Sequence, residues 1–266
     1  MHAVPQAGLD RMELLERAFA RNLMDYADAF RALGHTESQT IPCAGGIAAF
    51  AGFDSPLSAI KGAGPEISDR DIEDACAFFR RCGADRVTFE AAPWLSSSSY
   101  TRLAEHGFAP ADTEAVVVAD VTTASKPAPD PRFEVREIDA DRWADLMLEA
   151  WEFPPTPSWQ ILARGITVIP QSTTLGVFDS AGRPLGCAAI APANGIAIFG
   201  SDATLASARG QGVQTAAIHD RLRRCSAAGL RIAMAEVAPG SVSERNYLRN
   251  GFHEAYARIH YSRLLA

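Results

Sequence analysis

The residues of this chain best suited to chemistry stand together at Arg209-Gly210-Gln211-Gly212. Two glycines, placed where a β-rich run gives way to a helical one, leave backbone N–H groups unpaired at a helix start, and the helix dipole adds partial positive charge. Such a segment attracts an anion, and the formal charge of Arg209 suits a diphosphate. The Lys-Ser/Thr pair of a P-loop is missing. A dinucleotide fingerprint needs a parallel crossover, whereas the runs upstream read as an antiparallel meander. Three groups for proton transfer lie around the loop: Glu236 near the end of a strand-like run, Asp202 just before the loop, and His219 along the helix after it.

The elements that must position these residues are legible from 133 onward. A strand at 133–138 and a helix at 141–151, stopped by Pro154-Pro155, open this half. Two apolar runs, 173–178 and 185–192, are joined by Asp179-Ser180-Ala181-Gly182, which predicts a hairpin, and the Asn194-Gly195 turn leads into a third run at 196–205. Val213, Ala217, Ile218, Leu222 and Cys225 mark one face of a helix over 212–228 that Gly229 stops. A strand at 231–238, a helix at 241–250 and a closing strand pair at 252–261 complete the pattern.

The stretch 122–132, TTASKPAPDPR, sustains neither a helix nor a central strand and reads as a linker. Domains are therefore expected at 1–121 and 133–266. The first opens with a long helix over 9–33, with Met12, Leu15, Phe19, Leu23, Tyr26 and Phe30 at helical spacing before Gly34. Strand pieces at 46–52 and 56–60, a helix capped by Ser68-Asp69-Arg70-Asp71, β-rich runs at 86–90 and 114–121, and a helix near 97–106 follow. The halves echo one another. Arg80-Arg81-Cys82, Glu90-Ala91-Ala92-Pro93 and Gly107-Phe108 recur as Arg223-Arg224-Cys225, Glu236-Val237-Ala238-Pro239 and Gly251-Phe252, which reads as duplication of one α/β unit.

Composition narrows the classes. The net charge of −7 and pI near 5.4 argue against a general nucleic-acid binder. No apolar run approaches the roughly 20 residues that span a bilayer. The first ten residues lack the pattern of a secretory leader. Five scattered cysteines, Cys43, Cys76, Cys82, Cys187 and Cys225, suggest reduced thiols in a cytoplasmic protein rather than a disulfide framework or a metal site.

The order of meander, glycine loop and helix resembles the GNAT superfamily of acyl-CoA-dependent N-acyltransferases, with its loop pattern Arg/Gln-x-x-Gly-x-Gly/Ala. Arg209 and Gly212 match that pattern, and Gln214 departs from it. Residues 246–252, Asn246-Tyr247-Leu248-Arg249-Asn250-Gly251-Phe252, are similar to the family's closing helix and Gly-Phe turn. The resemblance covers the second half. It implies an α/β fold of two GNAT-like domains in tandem, each with a mixed, mostly antiparallel sheet flanked by helices. It also implies acetyl-CoA as acyl donor, held by Ala203, Thr204, Leu205, Arg209, Gly210, Gln211, Gly212, Val213, Gln214 and Asn246, with no metal. Tyr247, five residues before Phe252, stands where many relatives carry the general acid that protonates the departing thiolate, and Glu236 is the first candidate for base. Trp151, Phe153 and Trp159 fall in the segment that resembles the family's substrate-side loop and are candidates for an acceptor pocket.

The first half has no such loop. Lys61-Gly62-Ala63-Gly64-Pro65 is its nearest segment, and Leu103 takes the place of Tyr247, so this copy is expected to have lost cofactor binding. The expected function is transfer of an acetyl or other short acyl group to a primary amine, on a small molecule or a protein, in a protein of unspecified oligomeric state. A non-catalytic CoA-binding sensor is the alternative.

Overall fold

A computed structural model describes residues 6–52, 55–153 and 156–265. The expected helix breaker Pro154-Pro155 and the first five residues, part of the stretch read for a leader, lie outside them. The chain divides into two compact units, Met1–Glu114 with Ala255–Ala266, and Ala115–Glu254. The proline-rich stretch 122–132 falls within the second unit.

In the first unit α1 (Gln6–Ala32) buries the predicted stripe Met12, Leu15, Phe19, Leu23 and Phe30. β1 (Gln39–Cys43), β2 (Gly46–Phe50), β3 (Ala59–Lys61), α2 (Asp69–Arg81), β4 (Arg86–Ala91) and α3 (Ser97–Glu105) follow. β1, β2 and β3 pair antiparallel in turn, and β3 meets β4 in parallel. Their core holds Ile60, Ile72, Phe78, Phe79, Phe89 and Leu103. β1 escaped the sequence pattern because Pro42 argues against a strand, and an edge position is where a strand tolerates it.

β5 (Ala109–Asp120) runs from the first unit into the second. There β6 (Phe133–Glu137), α4 (Ala140–Trp151), α5 (Pro157–Val168), β7 (Thr173–Asp179), β8 (Pro184–Ala193), β9 (Ile196–Thr204), α6 (Val213–Ala227), β10 (Ile232–Val237) and α7 (Val242–Arg249) succeed one another. The strand order is β5-β10-β9-β8-β7-β6, antiparallel except for β9 and β10. Asn194 and Gly195 both adopt positive φ, which matches the twist of the hairpin they close. The apolar face predicted for α6 packs with Ile190, Phe199 and Phe252 over this sheet. α5 was not foreseen; its Pro157 sits in the first turn, where the missing N–H costs nothing.

β11 (His253–Leu264) ends the chain in the first unit, antiparallel to β4 from Ile259↔Ala91 to Leu264↔Arg86. One long strand thus replaces the strand pair expected at 252–261, because no turn-forming residue interrupts 253–264. The five cysteines are free, and no helix among the described residues is long and apolar enough to cross a membrane.

Candidate functional site

β9 and β10 run in parallel register from Ile196↔Ile232 to Phe199↔Ala235. Both strands continue past this point, but they no longer pair with each other. β10 stays in regular register with its other neighbour through Glu236↔Val116 and Val237↔Ala115, whereas β9 carries an irregularity. Ser201 has φ 54, and the β8–β9 register slips between Cys187 and Ala189. An extra residue on one strand bends it and strengthens its twist, which is how β9 turns away from β10. Beyond the bulge Ala203 and Thr204 pair with Cys187 and Gly186 of β8, and Leu205 N–H donates to the Leu185 carbonyl at 2.9 Å. Their opposite edge borders a gap between two strands of one sheet.

The glycine loop stands at the mouth of that gap. A 3-10 turn, Ala206–Ala208, leads into Arg209, and Gly210 and Gly212 adopt φ 77 and 97. Gly212 is the N-cap of α6, and the first helical bond recorded there is Ala216 N–H to the Gly212 carbonyl at 3.0 Å. Among the described residues the N–H groups of Gly212, Val213, Gln214 and Thr215 donate to no backbone carbonyl, the set a helix start leaves for a ligand. At Gly210 a β-carbon would meet no heavy atom within 4 Å, so the loop is open there. These features fit a diphosphate.

Arg209 is more committed than its sequence position suggests. Its guanidinium donates to the carbonyls of Thr204 at 3.3 Å and Ala150 at 3.2 Å, and pairs with Glu152 at 2.7 Å. It braces the loop against the end of α4 while remaining half exposed. Gln211 donates to the Ser207 carbonyl at 2.9 Å. The Val213 side chain is buried, which leaves only its N–H for a ligand.

Gln214, the departure from the expected small residue, ties the site together. Its amide donates to Asp202 Oδ2 at 3.2 Å and Ser243 Oγ at 2.8 Å, and accepts from Asn246 at 2.6 Å. Tyr247 is 1% exposed. Its hydroxyl donates to Asp202 Oδ2 and accepts from Arg221 at 3.2 Å. Burial pushes the phenol well above its usual range, Arg221 opposes that, and Asp202 reinforces it. Arg221 is wholly buried, pairs with Asp202 Oδ1 at 2.6 Å and lies 4.3 Å from the Phe199 ring centre.

The remaining candidates separate. Glu236 is half-buried on β10, one residue past the last pair with β9. His219 instead lines a cavity of about 590 Å³ with Pro127, Arg132, Phe133, Gly212 and Arg223, and burial lowers its imidazole pKa. Trp151 donates its indole N–H to the Asp202 carbonyl at 3.1 Å, directly at the bulge. Phe153 meets Trp151 edge-on at 5.4 Å and stacks on Trp159 at 4.0 Å, so the three aromatic residues form one cluster. Sequence reasoning missed Arg221 and the bulge. The signal for Arg221 was a charged residue on the α6 face that carries Ile218, Leu222 and Cys225.

The corresponding place in the first unit is closed. β3 and β4 pair at Ile60↔Phe89, and Gly62 follows with φ 71, as Ser201 follows Phe199 in the second unit. Here the buried Lys61 lies 2.9 Å from the buried Glu90. Trp94 donates to the Ala63 carbonyl, Ser96 and Ser99 to the Pro65 carbonyl, and Ile67 to Ser99 Oγ, all within 2.9 Å. α2 starts with Asp69 and Asp71, and the Asp71 carboxylate satisfies the Ser68 N–H, so an anion meets like charge. The buried Leu103 occupies the Tyr247 position.

No family model matches the chain, and no curated protein matches it by sequence. Solved structures do match by fold. A GCN5-related N-acetyltransferase from Kribbella flavida superposes with a TM-score of 0.64 at 15% identity, over 89% of this chain and 94% of that one. Another from Sphaerobacter thermophilus gives 0.60 at 18% identity, over 74% and 67%. A tandem GNAT protein from the clavulanic acid biosynthesis pathway gives 0.59 at 13% identity, over 74% and 69%.

Proposed function

From a chain with the fold of the GCN5-related N-acetyltransferases, we propose an N-acyltransferase whose second unit moves an acetyl or other short acyl group from acyl-CoA to a primary amine. The observation that carries this is the parting of β9 and β10 beyond Phe199↔Ala235, with unpaired N–H groups at the start of α6 beside it. Acetyl-CoA supplies the thioester carbonyl that an amine attacks. The open edge of Ala203, Thr204 and Leu205 receives the donor's extended arm, and the loop of Gly210, Gln211 and Gly212 with the N–H groups of Val213 and Gln214 receives its diphosphate. Arg209 holds that loop in place, and Asn246 braces it through Gln214.

Tyr247 is the general acid for the departing thiolate, because its hydroxyl sits one hydrogen bond behind Asp202 at the open end of β9. Glu236, on β10 just past its last pair with β9, takes the amine's proton through water. The aromatic cluster of Trp151, Phe153 and Trp159 borders the acceptor side. The acceptor is an amine of a small molecule or a protein, and a net charge of −7 favours a cationic one. The first unit, with its parting closed, binds no acyl-CoA.

The test is acetyl-CoA titration followed by thiol release over a panel of amines. Tyr247→Phe is expected to lower kcat by about 100-fold with little change in KM for acetyl-CoA. Binding without turnover over the whole panel would mark a CoA sensor instead, a reading that the internal commitment of the Tyr247 hydroxyl favours. Failure to bind CoA would end both readings.

A further inference from the structure

A phenol that gives up its proton beside a carboxylate creates two negative charges within one hydrogen bond. Asp202 presents that problem to Tyr247, since its Oδ2 accepts the phenolic hydrogen. In a site this dry the repulsion is scarcely screened, and a buried Tyr247 next to Asp202 alone would keep its proton. Arg221 reaches both partners. One of its nitrogens lies 2.6 Å from Asp202 Oδ1 and 3.2 Å from the Tyr247 hydroxyl. Its other N–H groups donate to the carbonyls of Ala189 at 3.2 Å and Ala217 at 3.3 Å, and the guanidinium lies against Phe199. These contacts leave the guanidinium no freedom to turn away.

We propose that Arg221 is a positioning residue for acyl transfer, the fixed counter-ion that neutralises Asp202 and stabilises the Tyr247 phenolate when the phenol protonates the departing thiolate. The inference rests on the reading of Tyr247 as general acid. In that step the amine nitrogen forms the new C–N bond and the C–S bond breaks with its electron pair going to sulfur. The hydroxyl turns its hydrogen from Asp202 Oδ2 to sulfur, which takes it; the nitrogen passes its own proton through water to Glu236, which returns it to solvent, and the phenolate regains one from solvent. Arg221 exchanges no proton. Its hydrogen bond to the phenol oxygen, charge-assisted from the start, becomes an ion pair as the phenolate forms and so strengthens in that step.

The experiment uses the full chain with acetyl-CoA and the best amine from the panel. Arg221→Met and Arg221→Lys are compared with wild type and with Tyr247→Phe, each in both Tyr247 backgrounds, and thermal melts report the folded fraction. Arg221→Met is expected to lose about 30- to 100-fold in kcat, most of what removing a general acid costs, with KM for acetyl-CoA nearly unchanged. In the Tyr247→Phe background it is expected to lose nothing more. Installing a fluorinated, more acidic tyrosine at position 247 should restore part of the lost kcat, because a phenol that ionises readily needs the counter-ion less. If Arg221→Met does not fold, Arg221→Lys, which keeps the charge without the fork, takes its place and is expected to lose less.

Losses that multiply with those of Tyr247→Phe, or no rescue by the fluorinated tyrosine, would overturn the inference and leave Arg221 a packing residue. Full kcat in Tyr247→Phe would overturn the general-acid reading itself. An inactive wild type would overturn both.

Discussion

Gly186→Ala tests whether the edge of β9 is the wall that receives the donor. Gly186 lies opposite Thr204 across the β8–β9 ladder, just past the bulge. A β-carbon at Gly186 would sit 2.3 Å from the Ala203 carbonyl oxygen and 3.1 Å from both Thr204 Cα and Val213 Cγ1. A carbon and a carbonyl oxygen approach no closer than about 3.3 Å, so the β9 backbone must retreat by roughly 1 Å. Overpacking of this kind costs about 1–3 kcal/mol, and at roughly 2–4 °C per kcal/mol for a domain of this size the midpoint should fall by about 2–12 °C. The displaced residues are Ala203 and Thr204, so acetyl-CoA affinity should fall about tenfold, or about 1.4 kcal/mol. Melts followed by calorimetric titration well below the midpoint measure both. Gly46→Ala is the control: its β-carbon would lie 2.2 Å from the Lys61 carbonyl in the first unit, so it should destabilise comparably while leaving acetyl-CoA affinity intact. An unchanged affinity in a destabilised Gly186→Ala protein would refute the edge of β9 as the binding wall. Equal affinity losses in both variants would show a general effect of destabilisation.

Two further outcomes follow from backbone geometry and charge. Gly212→Ala forces a β-carbon onto φ 97, which should cost about 1–3 kcal/mol and weaken acetyl-CoA binding by tilting the first turn of α6; melts and the same titration check both. In the first unit burial depresses the His260 pKa, but Glu114 and Glu90 outweigh that and Lys61, so it rises above 6.5. A raised folded pKa means that His260 contributes fully below about pH 6.5 and that this stability is lost as pH rises through the folded value. The midpoint should therefore decline over that window, and His260→Gln should flatten that part of the slope. An imidazole that titrates at or below 6.5 by NMR would contradict the assignment.

Much of the second unit was legible because its signals are local. A meander is set by alternating apolar residues and an Asn-Gly turn, and a helix by an apolar stripe between glycines, so β7, β8, β9, α6, β10 and α7 fall close to where the sequence put them. β1 was misjudged because the edge position that tolerates Pro42 depends on neighbours from elsewhere in the chain, whereas β11 was divided although no turn-forming residue interrupts 253–264. The duplicated pattern was also visible, since Glu-x-Ala-Pro and Gly-Phe recur in order. What it could not show was that the first copy closes its parting, which needs Lys61 to meet Glu90 and Ser99 to meet Pro65 in space.

By itself, the sequence determined the anion-ready loop at 209–212, the strand and helix that flank it, and the spacing from Tyr247 to Phe252, all properties of neighbours along the chain. Tertiary structure decided whether those parts make a site. The parting of β9 from β10 follows from a bulge at Ser201 that no residue type announces. The union of Asp202, Arg221 and Tyr247 joins residues 45 and 26 positions apart, with a charge on a helix face that periodicity reserves for apolar side chains. That charge is tolerated there because a carboxylate and a phenol arrive from other elements to meet it and two backbone carbonyls take its remaining N–H groups.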